Sequence, residues 1–106
     1  MNSFYEVILS EDGQSVCRIT IEESLQENDI DSLKHDLLCN AKIYQNVQIV
    51  IRKLNALALP ALQWIMAFQR AAQTEGKKVI LDIDLTDQLQ TLVDQSGLFT
   101  KFNWSE

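Results

Sequence analysis

The sequence predicts an α/β domain: a small mixed β-sheet covered mainly by crossover helices. Three observations lead there. Runs rich in β-branched and aromatic residues alternate with helical patterns in the order β-β-α-β-α-β-α, an alternation that demands parallel neighbours in part of the sheet. The first two runs are joined by a turn containing Asp12-Gly13, a strong hairpin signal, so one pair is antiparallel. Finally, 106 residues with 46% hydrophobic and 23% charged content can bury one core without disulfides or metal. Repeats, low-complexity segments and linkers are missing from the sequence, and residues 1–106 read as a single domain.

The elements follow in order. Residues 4–9 (FYEVIL) and 15–21 (SVCRITI) form the opening hairpin around SEDGQ. In the second strand Cys17, Ile19 and Ile21 alternate with Val16, Arg18 and Thr20, so one face carries most of the apolar weight. After the acidic stretch EESLQENDID, Asn28 or Asp29 caps a helix running to about Ala41. Its stripe is Ile30, Leu33, Leu37 and Ala41. NVQIVIR (46–52) is a strand with Val47, Ile49 and Ile51 on one face and some burial of Val50 on the other. Pro60 suits the first turn of the next helix, where its missing N–H costs nothing. That helix runs to about Glu75 and stops at Gly76, in the C′ position. Leu62, Ile65, Met66, Gln69 and Ala72 form one buried line, with Trp64, Phe68 and Ala71 beside it. KKVILDI (77–83) is the next strand. A last helix from Asp87 to Ser96, capped by Thr86, carries Leu89, Leu92 and Val93. Gly97 ends it, Leu98 and Phe99 pack back, and TKFNWSE adds a short strand or turn.

Charge excludes several functions. The net charge is −6, and the nine basic residues form no block longer than Lys77-Lys78. Phosphate backbones and anionic membrane surfaces both need concentrated positive charge, so neither nucleic acid nor a membrane surface is an expected partner. The apolar stretch Leu54–Phe68 is interrupted by Asn55, Pro60 and Gln63 and is too short to span a bilayer. Residues 1–9 contain Asn2, Ser3 and Glu6 without a basic start, unlike a signal peptide, so the expected location is cytoplasmic. Cys17 and Cys39 read as two reduced, buried thiols.

The search for chemistry finds little. Gly13, Gly76 and Gly97 all occupy turn or helix-end positions, so no phosphate-cradling loop exists. One histidine leaves no room for a catalytic triad. His35 lies off the helix stripe, beside Lys34 and Asp36, and reads as a solvated surface residue without a second metal ligand. Asp82, Asp84 and Asp87 cluster at a strand end, where they could hold Mg²⁺; a solvated strand end with a first-turn carboxylate is the favoured reading. No enzyme, catalytic residue or cofactor is expected.

Residues 54–64, LNALALPALQW, occupy the strand-to-helix junction where α/β proteins usually keep their working groups. They contain no charge, Gly, Ser, Thr or His. Two patterns here and nearby resemble the STAS domain, the family of bacterial anti-sigma factor antagonists, over roughly residues 4–104. LVDQSGLF (92–99) is similar to the family's closing helix, with Ser96, Gly97, Leu98 and Phe99 matching. The strand–loop–helix from Asn46 to Leu81 has the family's layout. Where family members typically have Asp-Ser-Ser-Gly-Leu, this chain has Ala58, Leu59, Pro60, Ala61 and Leu62, and only Leu62 agrees.

The resemblance implies a STAS-like small mixed sheet with helices packed mainly over one face. It also implies signal transduction or transcription regulation through a protein partner. In the best-known members the serine after the Asp is phosphorylated, and nearly two negative charges then break the complex. That serine aligns with Leu59, a degenerate phosphoacceptor position, and no hydroxyl occurs from Asn55 to Phe68.

The expected function is therefore a non-catalytic, non-phosphorylatable docking module. Its partner-binding residues are Asn55, Leu57, Ala58, Leu59, Pro60, Gln63 and Trp64, because one short junction cannot bury all its leucines and its tryptophan. Candidate partners are an anti-sigma or signalling kinase, or the ATPase of a lipid-transport ABC system to which the chain would be an accessory subunit. A homodimer through the same surface is the alternative, and a ligand- or Mg²⁺-binding domain at Asp82, Asp84 and Asp87 a lower one.

Overall fold

The computed structural model describes residues 2–96 of the chain. The expected helix stop at Gly97, the packing of Leu98 and Phe99 and the tail element lie outside the described residues. Strand β1 (Asn2–Leu9) and strand β2 (Ser15–Leu25) form the antiparallel hairpin. A short 3-10 helix at Glu27–Asp29 leads into α1 (Ile30–Ile43), and β3 spans Asn46–Leu57. Helix α2 (Leu59–Thr74), β4 (Lys78–Ile83) and α3 (Asp87–Ser96) complete the order. Among the described residues the sheet runs β1-β2-β3-β4, with β2, β3 and β4 mutually parallel.

This order fixes where the helices go. Each step from β2 to β3 to β4 moves one place in the same direction across the sheet. Right-handed crossovers then place α1 and α2 on the same face. Burial agrees: Cys17, Ile19 and Ile21 of β2, Val47, Ile49 and Ile51 of β3, and Val79 and Leu81 of β4 all point into one core with Leu33, Leu37, Leu62 and Ile65. Each fully buried aliphatic side chain contributes about 2 kcal/mol. No helix among the described residues covers the opposite face, the bare face of the sheet. Its shallow grooves are lined by residues of the strands and of the hairpin turn, among them Val16, Arg18, Gln48, Val50, Ile80 and Asp82.

The ends of the elements obey local rules. In the hairpin, Gly13 has a φ of 83°, and its N–H donates to the Ser10 carbonyl at 2.9 Å. The Asp12 carboxylate accepts from the Ser10 hydroxyl and from the Gln14 N–H. Those two hydrogen bonds hold Asp12 below its ordinary carboxylate range. At the end of α2, Gly76 (φ 87°) donates to the Gln73 carbonyl at 3.0 Å and Lys77 to the Ala72 carbonyl at 3.0 Å. That paired closure is the Schellman pattern a C′ glycine permits. Thr86 caps α3 by accepting from the Leu89 N–H at 3.4 Å.

Several sequence expectations need correction. β3 does not end at Arg52; it continues to Leu57, and β2 likewise runs beyond Ile21 to Leu25. Asp29 precedes α1 but does not cap it with its side chain; its carboxylate turns back to accept from the Gln26 N–H at 2.8 Å. Of the two cysteines only Cys17 is buried, its thiol 3.6 Å from the Asn40 amide oxygen and raised in pKa by burial, whereas Cys39 is exposed. Gln69 is buried as expected, and its amide donates to the Val79 carbonyl at 3.0 Å, tying α2 to β4. Among the described residues no helix is long and apolar enough to cross a membrane.

Candidate functional site

The junction that the sequence singled out is built on a two-stranded extension of the sheet. β4 makes its last sheet pair at Ile83, opposite Ile51, but β2 and β3 run on together. Their register slips on the way: Ile21 faces Ile51, Glu23 faces Leu54, and Leu25 faces Leu57. The extra β3 residues are absorbed by left-handed backbone at Glu23 (φ 72°) and Lys53 (φ 55°). Neither is glycine, so both positions carry a steric penalty of about 1 kcal/mol or more. The ribbon is closed by the Ala58 N–H, which donates to the Leu25 carbonyl at 2.7 Å. Residues 55–57 are therefore strand, held by backbone hydrogen bonds, where a loop was expected.

Helix α2 begins directly after this lock. Ala58 is its N-cap and has no side chain able to cap it, and Pro60 stands in the first turn. The helix start is thus apolar but retains the partial positive charge of its free N–H end. Around it the expected binding residues divide. Asn55, Pro60 and Gln63 are exposed, while Leu57, Ala58, Leu59 and Trp64 are half-buried against the core. Ala61 and Leu62 are buried completely and belong to the core itself.

Trp64 is engaged within the chain. Its ring stacks on Phe68 with centroids 5.5 Å apart, and the Lys34 ammonium of α1 lies 5.8 Å from its centroid. The reason for assigning it to an interface, an indole N–H in want of a partner, loses force: no buried side-chain N or O lacks a hydrogen bond among the described residues. What remains is a small surface of half-buried apolar side chains rimmed by Asn55, Pro60 and Gln63.

That surface continues where sequence reasoning did not look. A groove beside Asn55 runs between the end of β3 and α3, lined by Leu54, Thr86, Leu89 and Leu92 among others. The sequence places Leu89, Leu92 and Val93 together on this helix. Val93 is buried and Leu89 half-buried, but Leu92 is 41% exposed. Leu89, Leu92 and Val93 stand at i, i+3 and i+4 on one helix face, and within that face burial falls from Val93 through Leu89 to Leu92.

The other candidates do not assemble into a site. Asp82 sits opposite Val50 on the bare face, Asp84 donates its N–H to the Ile51 carbonyl at 2.8 Å, and Asp87 opens α3. No group of three His, Cys, Asp or Glu side chains suited to a metal ion occurs among the described residues. His35 does have a neighbour that the sequence reading passed over: Cys39, one helical turn on, with its sulfur 3.8 Å from the imidazole Nε2. The i, i+4 spacing was the available signal.

Comparison with known proteins bears on the fold. No protein-family model matches the chain, and no curated protein matches it significantly. Among solved structures it is similar to the anti-sigma factor antagonist SpoIIAA in its unphosphorylated form, with a TM-score of 0.64 and 10% identity. The match covers 97% of this chain and 89% of that one. The chain has a STAS-like fold, with the element order that the sequence predicted.

Proposed function

We propose that this chain is a non-catalytic interaction module that docks a regulatory protein partner through residues 55–64, without a phosphoswitch. The observation carrying this reading is the start of α2. In a fold shared with an anti-sigma factor antagonist, the position that aligns with the family's phosphorylated serine is Leu59, half-buried at a helix start with no capping side chain. A leucine accepts no phosphate, so binding here is constitutive. Leu57, Leu59 and the exposed rim of Asn55, Pro60 and Gln63 supply an apolar centre with polar edges, the usual anatomy of a protein interface. The groove along Leu89 and Leu92 extends it. The reading places the chain in the cytoplasm, in signalling or transcription regulation or beside a transporter ATPase.

The test is capture of partners by tagged protein from native lysate, read by mass spectrometry. Leu59→Glu and Gln63→Arg serve as paired variants. Gln63 is exposed, so its substitution leaves the fold intact even if Leu59→Glu costs stability. A partner bound by the natural chain and lost from both variants supports the docking surface and names the pathway. Identical partner lists from all three proteins reject it.

A further inference from the structure

The helical layer of this fold is one strand narrower than its sheet. α1 and α2 lie over β2, β3 and β4, and nothing among the described residues covers β1. On the helix side of β1 stand Tyr5, Val7 and Leu9, opposite Ile19, Cys17 and Ser15 of β2. Ile19 and Cys17 are buried to 2% and 0%, whereas Tyr5, Val7 and Leu9 are 66%, 50% and 73% exposed. The last turn of α1 borders the same trough. Asn40 contacts Cys17, the strand partner of Val7, and Ile43 one turn on is 72% exposed. Among the described residues, four of the seven large exposed apolar side chains therefore line the helix side of one edge, and a fifth, Phe4, stands on the other face of β1.

That edge also lacks the usual protection. β1 is eight residues long and pairs with β2 without a bulge from Asn2 to Leu9. Exposed edge strands are normally blunted by Lys, Pro, a bulge or shortness. β1 has no Lys and no Pro, and Glu6 is already neutralised by Arg18 at 3.4 Å.

We infer that β1 is a homodimer edge: two copies pair antiparallel through β1 about a two-fold axis at Val7, making one continuous sheet. Self-complementarity singles out both the occupant and the register. Centred on Val7, Tyr5 of each copy faces Leu9 of the other, and Val7 faces Val7. The exposed apolar side chains then form one stripe, flanked on both sides by α1. Centring on Glu6 would set like charges directly opposite, which is unfavourable. Centring on Tyr5 leaves Leu9 outside the paired span, and centring on Ile8 does the same to Tyr5. On the bare face the Val7 register puts Glu6 against Ile8 and leaves each Glu6–Arg18 pair in place. This edge is separate from residues 55–64, so the dimer stands or falls independently of the docking surface.

The test is light scattering of the full chain during size exclusion, from about 1 µM to about 1 mM, the weak end of specific association. The dimer predicts twice the chain mass at the upper concentrations. Val7→Lys places two ammonium groups on the axis and returns the protein to monomer at every concentration with an unchanged circular dichroism spectrum. In a Cys39→Ser background, a mixture of Tyr5→Cys and Leu9→Cys chains cross-links at least tenfold more than either alone, reporting the register. A monomer throughout overturns the inference, including one whose β1 amides are protected by another segment of the chain. So does a dimer that survives Val7→Lys.

Discussion

The start of α2 and the edge strand β1 are both rich in apolar side chains, yet the fold covers one and leaves the other open. At the α2 start, Leu62 and Ala61 are fully buried, and Leu57, Leu59 and Trp64 are half-buried. On β1, Tyr5, Val7 and Leu9 stand in solvent even though they share a sheet face with the core. The difference is a matter of layers. The α2 junction lies where the β2–β3 ribbon, the 3-10 helix and α2 converge, and it is closed by the hydrogen bond from Ala58 to Leu25. β1 lies beyond the reach of either crossover helix. Apolar density along the chain therefore does not tell which side chains are exposed; the width of the covering layer does.

This contrast can be broken most forcefully in the core below α2. Leu62→Ala should cost about 2–5 kcal/mol, the usual penalty for emptying a fully buried leucine site, whereas Val7→Ala measured at low protein concentration should cost less than about 1 kcal/mol. Urea titration of both variants checks the ranking, and equal losses would mean that β1 is covered in solution. A smaller effect is expected at the uncapped helix start. Ala58→Asp supplies an acceptor for the free N–H groups of α2 and a favourable charge at its positive end, and should raise stability by about 1 kcal/mol. A loss would show that the ribbon's lock leaves no room for a cap.

The left-handed positions sharpen the comparison further. Lys53→Gly removes a steric penalty at a φ of 55° and returns part of it as backbone entropy, so a gain of about 0.5 kcal/mol is expected. Lys53→Val should be clearly destabilising, because a branched Cβ fits this backbone poorly. The smallest effect belongs to the hairpin that presents β1. The pKa of Asp12 is lowered by its hydrogen bonds with Ser10 and Gln14, so its contribution is complete above the ordinary value of 3.8 and lost as the pH falls through the lowered one. The stability difference between the natural chain and Asp12→Asn should therefore shrink below that pH.

Much of the fold was legible in the sequence because its signals are local. The Asp12-Gly13 turn, the alternation of β2, the stripe of α1, Pro60 and Gly76 around α2 and the Thr86 cap each act within a few residues. The junction at 54–64 was legible as the place where a strand hands over to a helix, but not in form. Residues 55–57 carry no strand pattern of their own; they become strand because a register shift at Glu23 and Lys53 carries them alongside Leu25. The Trp64–Phe68 stack is an i, i+4 pair within α2, but no local signal predicts Lys34 over the Trp64 ring, a contact between two helices brought together only by the crossovers. The exposure of Tyr5, Val7 and Leu9 was hidden for the same reason: their alternation is that of a strand with a covered face, and the missing cover is a property of topology.

The most direct test of the proposed docking surface is hydrogen exchange of the full chain, free and bound to the partner that capture identifies. Slowed exchange is expected in residues 55–64 and along the adjoining face of α3, with the bare sheet face unchanged. Protection confined to the bare face or to β1, with 55–64 unaffected, would contradict it.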